Sequence, residues 1–159
     1  MVKYTGLNFT STTMLYTILH LPEIRYAGQM ILAILLGGII GWQREHWHRS
    51  AGLRTYALVT AGATLFTILS IHAFGQTNND KVAAAIVTGI GFLGAGTILH
   101  KKDRVEGLTT AAGLWISAAV GMVVGVEFYL LAAIATLFIF LALMFDPKNN
   151  WWRRIGFRR

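Results

Sequence analysis

KVAAAIVTGIGFLGAGTILHKKDRVEGLTTAAGLWISAAVG, residues Lys81 to Gly121, joins two apolar stretches dense in Gly, Ala and Ser through a charged turn. Glycine in an exposed soluble helix costs about 1 kcal/mol relative to alanine. In membrane helices it is frequent, because small side chains let neighbouring backbones approach and pack. Two such stretches in succession predict neighbouring membrane-spanning helices in a small polytopic protein.

Outward from this segment the chain keeps the same character. Of its 159 residues 55% are hydrophobic and 13% are charged, and the mean hydropathy is +0.55, more apolar than a soluble domain of this size needs. Five stretches are apolar over the roughly 20 residues that a helix needs to span the hydrocarbon core: 24–43, 55–74, 82–100, 108–126 and 127–145. The expected fold class is all-α, a polytopic bundle of about five transmembrane helices. Glu127 is the sole charge between Gly107 and Phe145, so the last two spans are divided by a tight turn at Gly125, Val126 and Glu127; one very long helix is the other reading. The resulting division is an N-terminal interfacial segment (1–23), a transmembrane domain (24–145) and a basic aromatic tail (146–159). Residues 1–23 lack the charged start, long apolar centre and cleavage site of a signal peptide.

The net charge is +7, and its distribution sets the orientation. Arg44, Arg49 and Arg54, then Lys101, Lys102 and Arg104, then Lys148, Arg153, Arg154, Arg158 and Arg159 share one side of a five-span arrangement. Lys3, Arg25 and Lys81 fall on the other. By the positive-inside rule the N-terminus lies outside and the C-terminus in the cytoplasm. The WWRRIGFRR tail suits an anionic leaflet with its rings at headgroup level. No basic motif of a nucleic-acid fold is present, so the lipid bilayer is the expected partner and nucleic acid is not. The absence of cysteine removes disulfides, thiolate metal sites and Cys nucleophiles.

Four blocks carry a family likeness: GGIIGWQRE (Gly37 to Glu45), AGLRTYALVTAGATLF (Ala51 to Phe66), VTGIGFLGAGTI (Val87 to Ile98) and VEGLTTAAGLW (Val105 to Trp115). In this order, over most of Gly37 to Gly125, the chain resembles the membrane domain of the MgtC/SapB family of bacterial inner-membrane proteins. The resemblance implies five transmembrane helices with the N-terminus outside and an association with magnesium limitation. For virulence members it also implies survival inside host cells and restraint of the F-type ATP synthase. Longer members carry an ACT-like domain after the last span, so a chain ending at Arg159 is expected to comprise the membrane domain alone. Ala85 stands where the family often has Gln, and Tyr56 where many members have His.

Candidate residues fall into two groups. Arg44 and Glu45 close span one, Arg54 and Thr55 open span two, and Thr109 and Thr110 open span four as expected capping residues; together they form a candidate polar network or ligand path at the cytoplasmic edge. Gly37, Gly41 and Arg44 share a helix face with a small-xxx-small motif that should meet another helix. Charges aimed into a bundle need partners, which points to an Arg44–Glu45 or Arg54–Glu45 network; a solvated cap that only sets topology is the alternative. The second group is glycine-rich. Gly89, Gly91 and Gly94 spell G-x-G-x-x-G but lie inside an apolar span, without the βαβ context of a dinucleotide fingerprint. With Gly96 they either pack helices closely or interrupt span three near the midplane, as transporters do. Gly113, Ser117, Gly121 and Gly125 form a stripe at four-residue steps, a helix seam within the subunit or across a homodimer. Thr60, Thr64 and Thr67 form a hydroxyl stripe expected to bond backbone carbonyls one turn back and not to line a pore.

No spacing among Asp80, Asp103, Glu106 and Glu127 identifies a magnesium site, and the histidines are too dispersed for zinc. Neither a G-x-S-x-G elbow nor a phosphate-binding loop occurs, so no enzyme and no cofactor is expected. The leading expectation is a non-enzymatic inner-membrane protein of magnesium homeostasis acting through membrane-protein partners, with the F-type ATP synthase as the named candidate. The alternative is a transporter or channel for Mg²⁺ or another small solute, with Mg²⁺ as ligand.

Overall fold

The apolar stretches fold into five helices: α1 (Pro22–His46), α2 (Leu53–His72), α3 (Asn79–Ala95), α4 (Leu108–Gly125) and α5 (Tyr129–Met144). The computed structural model describes residues 22–73, 79–102 and 104–144. The basic tail and, apart from Pro22 and Glu23, the interfacial segment lie outside them. Helices α1, α2 and α4, of 25, 20 and 18 residues, are long and apolar enough to cross a membrane. At ~1.5 Å per residue, α2 alone matches the ~30 Å hydrocarbon core. Helices α3 and α5, of 17 and 16 residues, fall short of that length; a helix shorter than the hydrocarbon core can be accommodated by local thinning of the bilayer at modest cost.

Two sharp turns are built alike. After α1, Arg49 N–H donates to Arg44 C=O (3.0 Å) and His48 N–H to Glu45 C=O (2.9 Å). After α4, Phe128 N–H donates to Val123 C=O (3.1 Å) and Glu127 N–H to Val124 C=O (3.0 Å). This is the Schellman pattern, whose penultimate residue is left-handed; here His48 (φ 52°) and Glu127 (φ 68°) occupy it without being glycine. The second turn separates α4 from α5 at Gly125, Val126 and Glu127, so the single long helix is ruled out.

Span three ends earlier than the hydropathy predicts. Helix α3 stops at Ala95, and β1 (Leu99–Lys101) pairs antiparallel with β2 (Arg104–Glu106), His100 opposite Val105. His100, Lys102 and Arg104 cannot enter hydrocarbon without great cost, and the pairing of Leu99–Lys101 with Arg104–Glu106 satisfies the strand backbone at the interface. Gly107 closes this hairpin with φ 90°, and a Cβ there would collide with the Thr97 carbonyl. Helix α4 therefore has Gly107 as its N-cap; Thr109 and Thr110 lie inside its first turn and do not cap it, which corrects that expectation.

Helix α2 is the centre of the bundle, packed between α1 and α4; α5 covers α1 and α4, and α3 lies against α4 and the side of α2. One core cluster gathers Ile40, Tyr56, Ala63, Leu114 and Ala118, and a second Ala33, Leu36, Val120, Val124 and Ala132. Leu58, Phe92 and Leu130 project outward, more than two-thirds exposed, as suits side chains whose solvent is lipid. Tyr56 donates from its hydroxyl to Thr110 C=O, so the starts of α2 and α4 share one end with Arg44, Arg49 and Arg54. At the other end Arg25 pairs with Glu127 (3.4 Å) and Gln29 bonds Tyr129 (3.2 Å). Among the described residues Arg44, Arg49 and Arg54 thus gather at one end and Arg25 lies at the other, and the positive-inside rule makes the end with the three arginines the cytoplasmic one.

Candidate functional site

The small residues read from the sequence meet on both sides of α2. A Cβ at Gly37 would collide with Thr60 Oγ1 and approach Tyr56 O at 2.7 Å; one at Gly41 would lie 2.6 Å from Leu53 Cα. From the opposite side, a Cβ at Gly113 would collide with the Tyr56 hydroxyl, one at Gly121 with the Thr60 carbonyl, and one at Gly125 would lie 2.6 Å from Thr67 Cβ. Tyr56 and Thr60 are thus held between glycines of α1 and α4. The stripe from Gly113 through the fully buried Ser117 to Gly125 is a seam within the subunit, so it offers no surface for the homodimer that was its other reading.

The hydroxyl stripe is satisfied as expected. Thr60, Thr64 and Thr67 donate to Tyr56, Thr60 and Ala63 carbonyls at 2.9, 3.0 and 2.8 Å. The one Thr64 hydroxyl proton is shared between Thr60 C=O and Gly121 C=O, the latter at 2.7 Å, which is feasible because Gly121 brings the α4 backbone so close.

At the cytoplasmic end the candidate polar residues separate. Arg44, on the Gly37–Gly41 face, is fully buried and its guanidinium lies close enough to the Tyr56 hydroxyl to interact with it. Glu45 and Arg54 are exposed. Glu45 turns towards α2 and accepts from Leu53 N–H at 2.8 Å, satisfying an otherwise orphan donor and placing a negative charge at the positive end of the helix dipole. Thr110 contributes its carbonyl to Tyr56, whereas Thr55 and Thr109 are exposed.

The glycines of α3 behave differently again. The helix runs unbroken through Gly89, Gly91 and Gly94, so the interrupted-span reading is set aside. A Cβ at Gly94 would make ordinary contact with Ala111 Cβ (3.5 Å), but one at Gly89 or Gly91 would meet nothing within 4 Å. Gly89 instead lines an apolar crevice of about 460 Å³ between α2 and α3. Among the described residues no group of three or more His, Cys, Asp or Glu is placed to hold a metal ion.

Sequence reasoning did not single out Tyr56 as a site residue, although it heads the Thr60–Thr64–Thr67 stripe and a tyrosine hydroxyl in a span needs a partner. Gln29 and Gln43 were also missed. Both are buried and tie α1 to α5, Gln43 by donating to Phe140 C=O at 3.2 Å. Their spacing, two heptads about Leu36, was the available signal.

The MgtC family model matches residues 30–150. "Protein MgtC" of Brucella abortus (strain 2308) is 52% identical over 118 residues, covering 74% of this chain and 50% of the relative. "Protein SrpB" of Synechococcus elongatus is 38% identical over 143 residues, 79% of each chain. "Putative magnesium transporter YhiD" of Escherichia coli K12 is 39% identical over 123 residues, 72% of this chain and 57% of the relative. The chain spans about half the length of the Brucella relatives it matches. No solved structure matches.

Proposed function

This chain belongs to the MgtC family, and from that premise we propose that it is a multi-pass protein of the bacterial inner membrane serving magnesium homeostasis. It acts without catalysis, by binding other membrane proteins, and the F-type ATP synthase is the partner proposed on the resemblance.

One observation carries the regulatory reading: the polar groups of the central helix are engaged with backbone. Thr60, Thr64 and Thr67 bond carbonyls, and Gly37 and Gly121 bring neighbouring backbones against Thr60 from both sides. Mg²⁺ gives up its water reluctantly and keeps several ligand waters in most sites. A passage for it needs width and polar lining, and the α1–α2–α4 interior supplies close-packed glycine and, on α2, threonine hydroxyls already bonded to backbone. The transport reading is supported by the name of the Escherichia coli relative, and it requires a route that this seam does not supply.

The test uses vesicles containing F-type ATP synthase, with and without the full chain. The proposal expects slower ATP-driven proton pumping and retention of the chain on the immobilised synthase. Unchanged pumping and no retention would remove the synthase as partner.

A further inference from the structure

We propose that the crevice between α2 and α3, with the basic recess at its cytoplasmic mouth, binds one anionic phospholipid. This goes beyond the regulatory role and is independent of it. The crevice is walled by Leu58, Gly62 and Phe66 of α2 and by Ala85, Gly89 and Leu93 of α3. Glycine at 62 and 89 is not required by close helix contact, since a Cβ at either meets nothing within 4 Å. These positions leave open volume that faces the hydrocarbon, and the occupant available there is an acyl chain.

Two further recesses adjoin the crevice towards the cytoplasmic end. The crevice shares Val59 and Leu93 with a recess of about 420 Å³ bounded by Ser50, Thr55 and Phe92. That recess shares Thr55 with a polar one of about 440 Å³ lined by Glu45, His48, Arg49, Gly52, Arg54 and Thr55. The mouth thus carries two arginines and a histidine against one carboxylate. Glu45 accepts the Leu53 N–H, and the N-terminus of α2 adds its own positive end. From Thr55 to Phe66 along α2 is 11 residues, roughly 16 Å, about half of the ~30 Å hydrocarbon core. A phosphate at Arg49 and Arg54 therefore places its acyl chain in the Leu58–Phe66 section, within one leaflet. Neutral lipids fit the apolar section equally well, so the preference for negative charge rests on the mouth.

The experiment titrates the purified, delipidated full chain in detergent with phosphatidylglycerol, with phosphatidylcholine of the same chains, and with inorganic phosphate. Lipid retention by native mass spectrometry and the thermal unfolding midpoint are read together. The native protein should retain one phosphatidylglycerol and unfold at higher temperature with it, with little response to phosphatidylcholine or phosphate. Arg49→Gln with Arg54→Gln should weaken that binding roughly thirtyfold, the effect of two arginine charges near a membrane surface. Gly62→Leu and Gly89→Leu, entering the crevice from opposite walls, should each abolish one-lipid retention while leaving helical content and elution volume unchanged. Equal retention of phosphatidylcholine, a midpoint shift given by phosphate alone, or undiminished phosphatidylglycerol binding in the double arginine variant or in both leucine variants overturns the proposal.

Discussion

Two glycines of the same sequence type should respond oppositely to the same methyl group. Gly121 lies against the Thr60 carbonyl, and a Cβ added there collides with that oxygen and comes to 2.9 Å from Ala63 Cβ. Restoring ordinary contact moves α2 and α4 apart on the order of 1 Å, enough to forfeit a quarter to a half of each dispersion contact across the seam. Overpacking of this kind costs about 1–3 kcal/mol, and the Thr64–Gly121 hydrogen bond of 2.7 Å stretches with it, adding about 0.6 kcal/mol for a bond between membrane helices. Gly121→Ala should therefore destabilise the bundle by about 2–4 kcal/mol, roughly two orders of magnitude in the unfolding equilibrium. Gly89→Ala meets open space and should be neutral or stabilise by up to about 1 kcal/mol through helix propensity. Reversible unfolding in mixed micelles, followed by circular dichroism, measures both. Equal stabilities for the two variants would refute the reasoning, because sequence type and not packing would then govern the glycines.

Three further outcomes use the same assay. Arg44→Ala, which leaves a void beside Tyr56 and removes its cation, should cost about 2–5 kcal/mol, and Arg44→Lys should recover only part because an ammonium lacks the planar fork; full stability in the alanine variant would count against a built core site. Glu45→Ala removes the acceptor of Leu53 N–H and should cost about 0.5–2 kcal/mol, the range for a lost helix cap; no change in midpoint would show that solvent replaces it. His48→Gly relieves a left-handed residue at φ 52° and should stabilise by about 1 kcal/mol, an expectation that a lower midpoint would contradict.

Much of this architecture was legible because membrane helices declare themselves twice, in apolar length and in loop charge. The division at Glu127 and the gathering of Arg44, Arg49 and Arg54 at one end followed from those signals. Gly37, Gly41 and the Gly113–Gly125 stripe were legible as packing faces, since helical spacing puts them in line. Their partner was not, because a one-dimensional stripe does not say whether the helix opposite belongs to the same chain. The end of α3 at Ala95 was hidden by Ile98 and Leu99, which extend the hydropathy although the chain has already left the helix. Arg44 and Glu45 are adjacent, yet a helix sends adjacent side chains about 100° apart. One enters the core beside Tyr56 and the other reaches across the loop to Leu53.

The central claim, that the bundle regulates partners and does not itself carry the ion, is tested most directly by Mg²⁺ entry into proteoliposomes containing the purified full chain, beside protein-free vesicles and the Glu45→Ala variant. The account predicts entry no faster than in protein-free vesicles. Saturable entry through the native chain would contradict it, and loss of that entry in Glu45→Ala would place the cytoplasmic cluster on the path.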